Sequence, residues 1–182
     1  MEFILVVSSV LLWIAVLFNL MLTIAIIRRG RARQSGFDMA NVPTLEIGSQ
    51  APDFTAQTLD GKTVTLADYA GKPVVFVFIS PTCRPCIEKL PALHDIGQKA
   101  RQVGTELILV NTADNAQTEA LVREYHIILP VLIAPRESNP FMEDYQAAGT
   151  PFFCFVNEQQ KVQSTGFFDS KWNDLVEEWV AP

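Results

Sequence analysis

The chain has 182 residues, 49% of them hydrophobic, a net charge of −6 and three cysteines. That length allows one domain of ordinary size plus an appendage. The acidic balance argues against nucleic-acid binding, and no Gly-rich phosphate loop is present.

Residues 3–27 carry no charge, a span long enough to cross a bilayer as a helix with some tilt. The stretch is longer than a secretory h-region and lacks both a small-x-small cleavage site and a lipobox cysteine. It therefore reads as an uncleaved single transmembrane anchor. Asn19 within it is expected to be a passive or helix-contacting amide. Arg28, Arg29, Arg31 and Arg33 follow, whereas only Glu2 and the amino terminus precede. The positive-inside rule alone puts the C-terminal domain on the cytoplasmic side; a clamp on anionic headgroups is the other use for these arginines and requires no orientation. The organisation read from this is an anchor with juxtamembrane arginines over 1–33, a linker over 34–44 containing Gly36, Asn41 and Pro43, and a globular domain over 45–182.

Within the domain, Thr55–Thr58 and Thr63–Leu66 flank Leu59-Asp60-Gly61-Lys62, an Asp-Gly hairpin signal. Val74–Ile79 is too continuously apolar for a wet face and suits a central strand covered by helices on both sides. It leads through Ser80-Pro81-Thr82 into Cys83-Arg84-Pro85-Cys86. A strand that stops at a Cys-x-x-Cys and restarts as a helix puts the first sulfur at a helix N-terminus. There the backbone N–H groups and the dipole stabilise a thiolate, so Cys83 is the natural nucleophile. Cys86, one turn further in, is placed to attack a mixed disulfide formed by Cys83, which completes a two-step redox cycle. A lone Cys-x-x-Cys is also half of a zinc site, but no second pair accompanies it; Cys154, His94 and His126 are scattered singly. No metal or organic cofactor is implied.

Pro91 falls inside the helical stretch Ile87–Arg101, where a proline kinks a helix. Glu106–Asn111 reads as a second buried strand and Asn115–Tyr125 as a helix with Leu121, Val122 and Tyr125 on one face. That order implies a parallel crossover. Pro130–Ala134 reads as a short additional strand. Asn139-Pro140 reads as a helix start, with Asn139 the N-cap, running to about Ala147. Phe152–Val156 and Lys161–Thr165 pair across Asn157-Glu158-Gln159-Gln160. Asp169–Val180 closes the chain as a helix that docks Trp172, Leu175, Val176 and Trp179 on the sheet. Cys154, between Phe153 and Phe155, reads as a small buried hydrophobe.

The strand into Cys-x-x-Cys, Pro91 five residues after Cys86, and Gly149-Thr150-Pro151 before a later strand together resemble the thioredoxin fold. The likeness is to its TlpA/ResA-like branch of membrane-anchored thiol:disulfide oxidoreductases. Ile47-Gly48-Ser49-Gln50-Ala51-Pro52-Asp53-Phe54, Leu59-Asp60-Gly61-Lys62 and Leu66-Ala67-Asp68-Tyr69 are similar to the opening hairpin this branch shares with peroxiredoxins. The anchor and the Ser-Pro-Thr-Cys wording also look like MauD, the accessory protein of methylamine utilisation. The resemblance covers about residues 45 to 180 and implies an α/β thioredoxin-like fold, a central mixed sheet flanked by helices. It implies a cis proline at Pro151 that packs beside the disulfide and, with Thr150, receives an extended client peptide. It also implies protein thiol or disulfide substrates, an electron-donor or acceptor protein, and an extracytoplasmic domain.

Two positions depart from the family. Many thioredoxins have a buried Asp where this chain has Val77, and ResA-like members have a Glu where it has Lys89. Glu88 neighbours the latter, but one residue on a helix is a turn of about 100°, so it reads as a solvated acid. Arg84 and Pro85 lie between the cysteines, and Arg84 would add cationic stabilisation to a Cys83 thiolate. Arg84, Pro85, Glu88 and Lys89 are thus the expected modulators, and either direction of electron flow fits. Two competing readings are a peroxidase and a non-enzymatic holdase for a cysteine-rich client. The peroxidatic signature asks for Pro seven residues and Thr or Ser three residues before the cysteine; Phe76 and Ser80 meet only the second, and no arginine follows Arg136.

Overall fold

Val74–Ile79 (β3) is buried along its whole length, and its alternation divides the core in two. The computed structural model describes residues 12–14, 16–21, 44–168 and 170–180. Val74, Phe76 and Phe78 join one apolar cluster, Val75, Val77 and Ile79 the other. A strand between two cores has no polar position to spare, and burial of each phenylalanine is worth about 1.5–3 kcal/mol.

The other elements of the sheet are β1 (Thr55–Thr58), β2 (Thr63–Thr65), β4 (Glu106–Asn111), β5 (Val131–Ile133), β6 (Phe152–Val156) and β7 (Val162–Phe167). Their spatial order is β2-β1-β5-β4-β3-β6-β7. β3, β4 and β5 are parallel neighbours, while β6, β7, β1 and β2 join antiparallel, so the sheet is mixed as expected. The hairpin closes with the Thr58 N–H donating to the Lys62 carbonyl at 2.9 Å, Gly61 supplying the positive φ of +78°.

Between and after the strands, among the described residues of 44–180, lie the α-helices α1 (Arg84–Gln102), α2 (Asn115–Tyr125), α3 (Phe141–Asp144) and α4 (Ser170–Val180). α1, α2 and α4 cover the second face through Cys86, Leu90, Leu93, Leu121, Trp172, Leu175 and Trp179. Among the described residues no long helix covers the first face. Phe54, Leu66, Phe141, Met142 and Tyr145 close it instead, with Phe54 and Phe141 stacked at 3.9 Å.

Several elements differ from the sequence expectation. α1 has Cys83 at its N-terminus and Pro91 within it, both as expected, and extends one residue past Arg101; Pro91 lacks the N–H that would bond to the Ile87 carbonyl. α3 is four residues long, with Pro140 rather than Asn139 in the cap position. The Asn139 amide is instead split between the Phe141 N–H and the Thr55 carbonyl, and Gln146 turns left-handed at φ 51° before Ala147 is reached. On α2, Tyr125 is exposed and Thr118 is buried in its place. His126 ends that helix in the left-handed region and lets Ile127 turn inward, so the last helical residue is not needed for packing. β7 is longer than expected and carries Phe167.

The expected anchor over residues 3–27 lies for the most part outside the described residues, as do the four arginines and residues 34–43. Residues 12–14 and 16–21 are helical, with Leu12, Trp13, Ile14, Val16, Leu17, Phe18, Leu20 and Met21 exposed. No helix among the described residues is long and apolar enough to cross a membrane.

Candidate thiol–disulfide exchange site

At the C-terminal end of β3 the Ile79 carbonyl accepts from both the backbone N–H and the hydroxyl of Thr112, 3.0 and 3.1 Å away. This pins the strand end to the segment after β4. The chain then turns through Ser80-Pro81-Thr82, where the Cys83 N–H donates to the Ser80 carbonyl at 3.1 Å.

Cys83 is the N-cap of α1, with extended φ and ψ of −87° and 96°. Its sulfur accepts from the Cys86 N–H at 3.2 Å, in the manner of a capping oxygen. Pro85 falls in the first turn, where the N–H it lacks would have had no intrahelical partner. Cys83 and Cys86 are joined as a disulfide with Cα atoms 5.3 Å apart. Cys83 remains half-buried while Cys86 is buried. One sulfur is within reach of a partner and the other is shielded beneath it.

The Thr150–Pro151 peptide bond is cis. The antiparallel register of β3 with β6 pairs Phe78 with Phe152. Carried one residue further, it sets Pro151 opposite Ile79, at the sheet end from which the Cys83 loop departs. Thr150 and Pro151 are both half-buried. Behind them, a side chain at Gly149 would meet Phe167 at 3.5 Å.

The charges around the pair are already partnered. The Arg84 Nε donates to Glu88 Oε1 at 2.8 Å across one helical turn, on an exposed surface. Arg84 is thus directed along the helix onto Glu88. The Lys89 ammonium lies over the Phe168 ring, 5.7 Å from its centroid. Phe168 in turn stacks on Trp172 at 4.1 Å. Sequence reasoning missed both contacts: the first was readable as an opposite-charge i, i+4 pair, whereas the second depends on how β7 hands over to α4.

Val77 is fully buried among apolar neighbours. Among the described residues no Asp, Glu, Lys or Arg side chain is buried; the buried polar side chains are Thr105, Asn111, Thr118 and Thr165. Asn111 donates to the Thr118 hydroxyl at 2.8 Å, leaving its carbonyl oxygen without a partner.

The structure does not bring Cys154, His94 or His126 to the site. Cys154 belongs to the opposite core from Cys86. Burial pushes its thiol up to about 12, partly offset by a hydrogen bond with Thr165. His94 accepts from the Ile128 N–H at 3.0 Å. A cleft of about 310 Å³ between β1, β2, β5 and the start of α2 is lined by Thr55, Gln57, Asp114 and Asn139 among others and touches neither cysteine.

A thioredoxin-like α/β fold with a Cys-x-x-Cys disulfide capping the helix after a buried interior strand, with a cis proline at the same end of the sheet, defines a thiol:disulfide oxidoreductase. The profile of the AhpC/TSA family matches residues 47–165. The chain is 31% identical over 119 residues to the thiol-disulfide oxidoreductase ResA of Bacillus thuringiensis subsp. konkukian, covering 65% of this chain and 68% of that one. It is 32% identical over 135 residues to the chloroplastic peroxiredoxin Q of Triticum aestivum, covering 74% and 60%. The thioredoxin domain of a thiol-disulfide oxidoreductase from Bacteroides vulgatus superposes with a TM-score of 0.65 at 23% identity, covering 75% and 99%. The chain belongs to the AhpC/TSA family, with relatives among the ResA-type oxidoreductases.

Proposed function

We propose that this protein is a membrane-anchored enzyme that exchanges disulfides with the cysteines of client proteins, in the direction of client reduction. The observation that carries the reading is the asymmetry of the pair. The half-buried Cys83 sulfur already accepts the Cys86 N–H, and Cys86 waits buried one turn behind.

In the reduced enzyme, the Cys83 thiolate attacks a client disulfide. A Cys83–client bond forms, and one client sulfur leaves with the electron pair of the broken bond and takes a proton from water. Cys86 then loses its proton to solvent and attacks Cys83. The Cys83–Cys86 bond forms, the second client sulfur departs as a thiolate, and two electrons have passed to the client. Thr150 and Pro151 align the client strand, and an electron-donor protein returns the pair to the dithiol. Arg84, Pro85, Glu88 and Lys89 tune the pair.

The anchor is assigned to residues 3–27 in a lipid bilayer, with the domain extracytoplasmic, where protein disulfides persist. The juxtamembrane arginines then serve anionic headgroups. Fusion of a topology reporter after Pro182 tests this placement: a signal from the cytoplasmic side would reverse it. The anchor-plus-domain arrangement and the Ser80-Pro81-Thr82-Cys83 sequence also favour a MauD-like task, the maturation of a cysteine-rich client.

The decisive experiment is Cys86→Ser, which is expected to trap a client on Cys83 as a covalent adduct cleaved by dithiothreitol. Absence of adducts under conditions where the wild type turns over would overturn the reading. Survival of the cellular phenotype in Cys83→Ser would establish a holdase instead. The likeness to a peroxiredoxin makes consumption of hydrogen peroxide a second assay; the site argues against it, because Phe76 is buried in the core where that chemistry asks for proline at the site.

A further inference from the structure

The chain enters the domain at the end of the sheet opposite the cysteine pair. The Gly48 N–H donates to the Val162 carbonyl at 2.7 Å, the Val162 N–H donates to the Ser49 carbonyl at 2.9 Å, and Gln50 bridges to Lys161. Residues 48–50 are thereby tied to the start of β7. The register puts Val74 of β3, Glu106 of β4 and Val156 of β6 at this same end. The Cys83 loop leaves from the other end of β3, about 20 Å away along the strand.

Among the described residues of 44–180 the exposed large apolar side chains are Ile47, Val103, Tyr125 and Ile128. Ile47, 61% exposed, directly precedes the Gly48 bond, and Val103, 52% exposed, caps α1 just before β4 begins. These two flank the entry end, with β4, β3, β6 and β7 side by side between them. Lys72, Lys99, Arg101 and Lys161 stand exposed at this end, against Glu46, Glu106 and Glu158. At the cysteine end, the segments after β4 and β5 carry Asp114, Glu137, Glu143 and Asp144 against Arg136. In a chain of net charge −6, the entry end therefore carries an excess of cations with two apolar side chains among them.

We propose that the entry end is a docking surface for an anionic lipid bilayer, which holds the cysteine pair facing away from the membrane. The proposal rests on the anchor assigned to residues 3–27 and adds the face that meets the lipid. Residues 34–43 separate the juxtamembrane arginines from Thr44, so the tether reaches about 35 Å at full extension. Tethering on that scale makes each weak contact intramolecular and gives the headgroups a high effective concentration at this end. Lysine and arginine gain from the negative surface potential within a Debye length of the headgroups. Ile47 and Val103 enter the headgroup boundary, as the apolar residues of an interfacial surface do. The Cys83 sulfur then stands about 20 Å above the docked face, so the clients are proteins whose disulfide stands clear of the bilayer rather than at headgroup level.

The test uses the full-length chain in nanodiscs of phosphatidylcholine, alone or with a third of phosphatidylglycerol, read by hydrogen–deuterium exchange. Amides of residues 45–50 and 101–105 are expected to exchange about tenfold more slowly with phosphatidylglycerol present, the factor for an end occupied about 90% of the time. Residues 80–84 are expected to exchange alike in both. Lys72→Glu combined with Lys161→Glu is expected to remove the slowing. Exchange at 45–50 and 101–105 that is the same in both lipids overturns the proposal, and so does slowing at 80–84. A chain that does not co-elute with the nanodiscs overturns the anchor and this docking together; a chain that co-elutes with its entry end unprotected overturns the docking alone.

Discussion

Replacing Val77 by aspartate tests whether the face that carries Cys86 tolerates an acid. Val77 is fully buried between Leu109 and Phe153 in the sheet register. The two side chains are similar in volume, so the cost is electrostatic rather than steric. Burial of this kind raises a carboxyl pKa by about three units above its unfolded value near 3.9, to about 7. Each unit is worth about 1.4 kcal/mol, so ionisation adds about 4 kcal/mol of destabilisation at neutral pH. Burying even the neutral acid costs a further 1–3 kcal/mol or so. The sign follows from linkage: with the folded pKa raised, the unfolded state releases the proton first, and stability falls as pH rises from about 4 to about 7. Urea denaturation of Val77→Asp and wild type at several pH values in that window provides the measurement. A loss below about 1 kcal/mol at pH 7, or a loss with no pH dependence, would refute the claim of an apolar, water-free face, and Val77→Ala controls for lost packing.

Two further outcomes follow from the polar groups the core does hold. Thr118→Val removes the hydroxyl that accepts from the buried Asn111 amide and is expected to cost about 1–3 kcal/mol in urea denaturation while leaving exchange rates intact. Cys154, raised from 9.0 to about 12 by burial, is expected to resist iodoacetamide in the native protein at pH 8 and to react on unfolding. Its raised folded pKa also means that stability is lost between about pH 9 and pH 12, a slope absent from Cys154→Ala in alkaline denaturation.

The sequence reading was strongest where one physical requirement governed several neighbouring residues. Val74–Ile79 has no polar residue to face water, and it is an interior strand between β4 and β6. Trp172, Leu175, Val176 and Trp179 recur at helical spacing, and they dock on the sheet as expected. Cys83 could be placed at a helix start because Pro85 tolerates the first turn and the strand ends just before it. Tertiary demands decided the rest. Asn139 reads locally as a cap, yet its amide also ties this segment to the Thr55 carbonyl of β1, which is 84 residues away in sequence. Tyr125 has the right period for a buried face, but α2 ends there and Ile127 takes over the packing. Lys89 reads from the sequence as a modulator of the pair, but its seat over Phe168, the residue just past β7, could not be read there.

The measurement that tests the central claim most directly is the redox state of Cys83 and Cys86 in growing cells, fixed by acid quenching and read with a mass-tagged thiol reagent. The account predicts a largely reduced pair that becomes oxidised within minutes of a diamide pulse and recovers afterwards, with Cys154 unchanged throughout. A permanent disulfide, unmoved by the pulse or the recovery, would contradict it and leave the pair a structural crosslink.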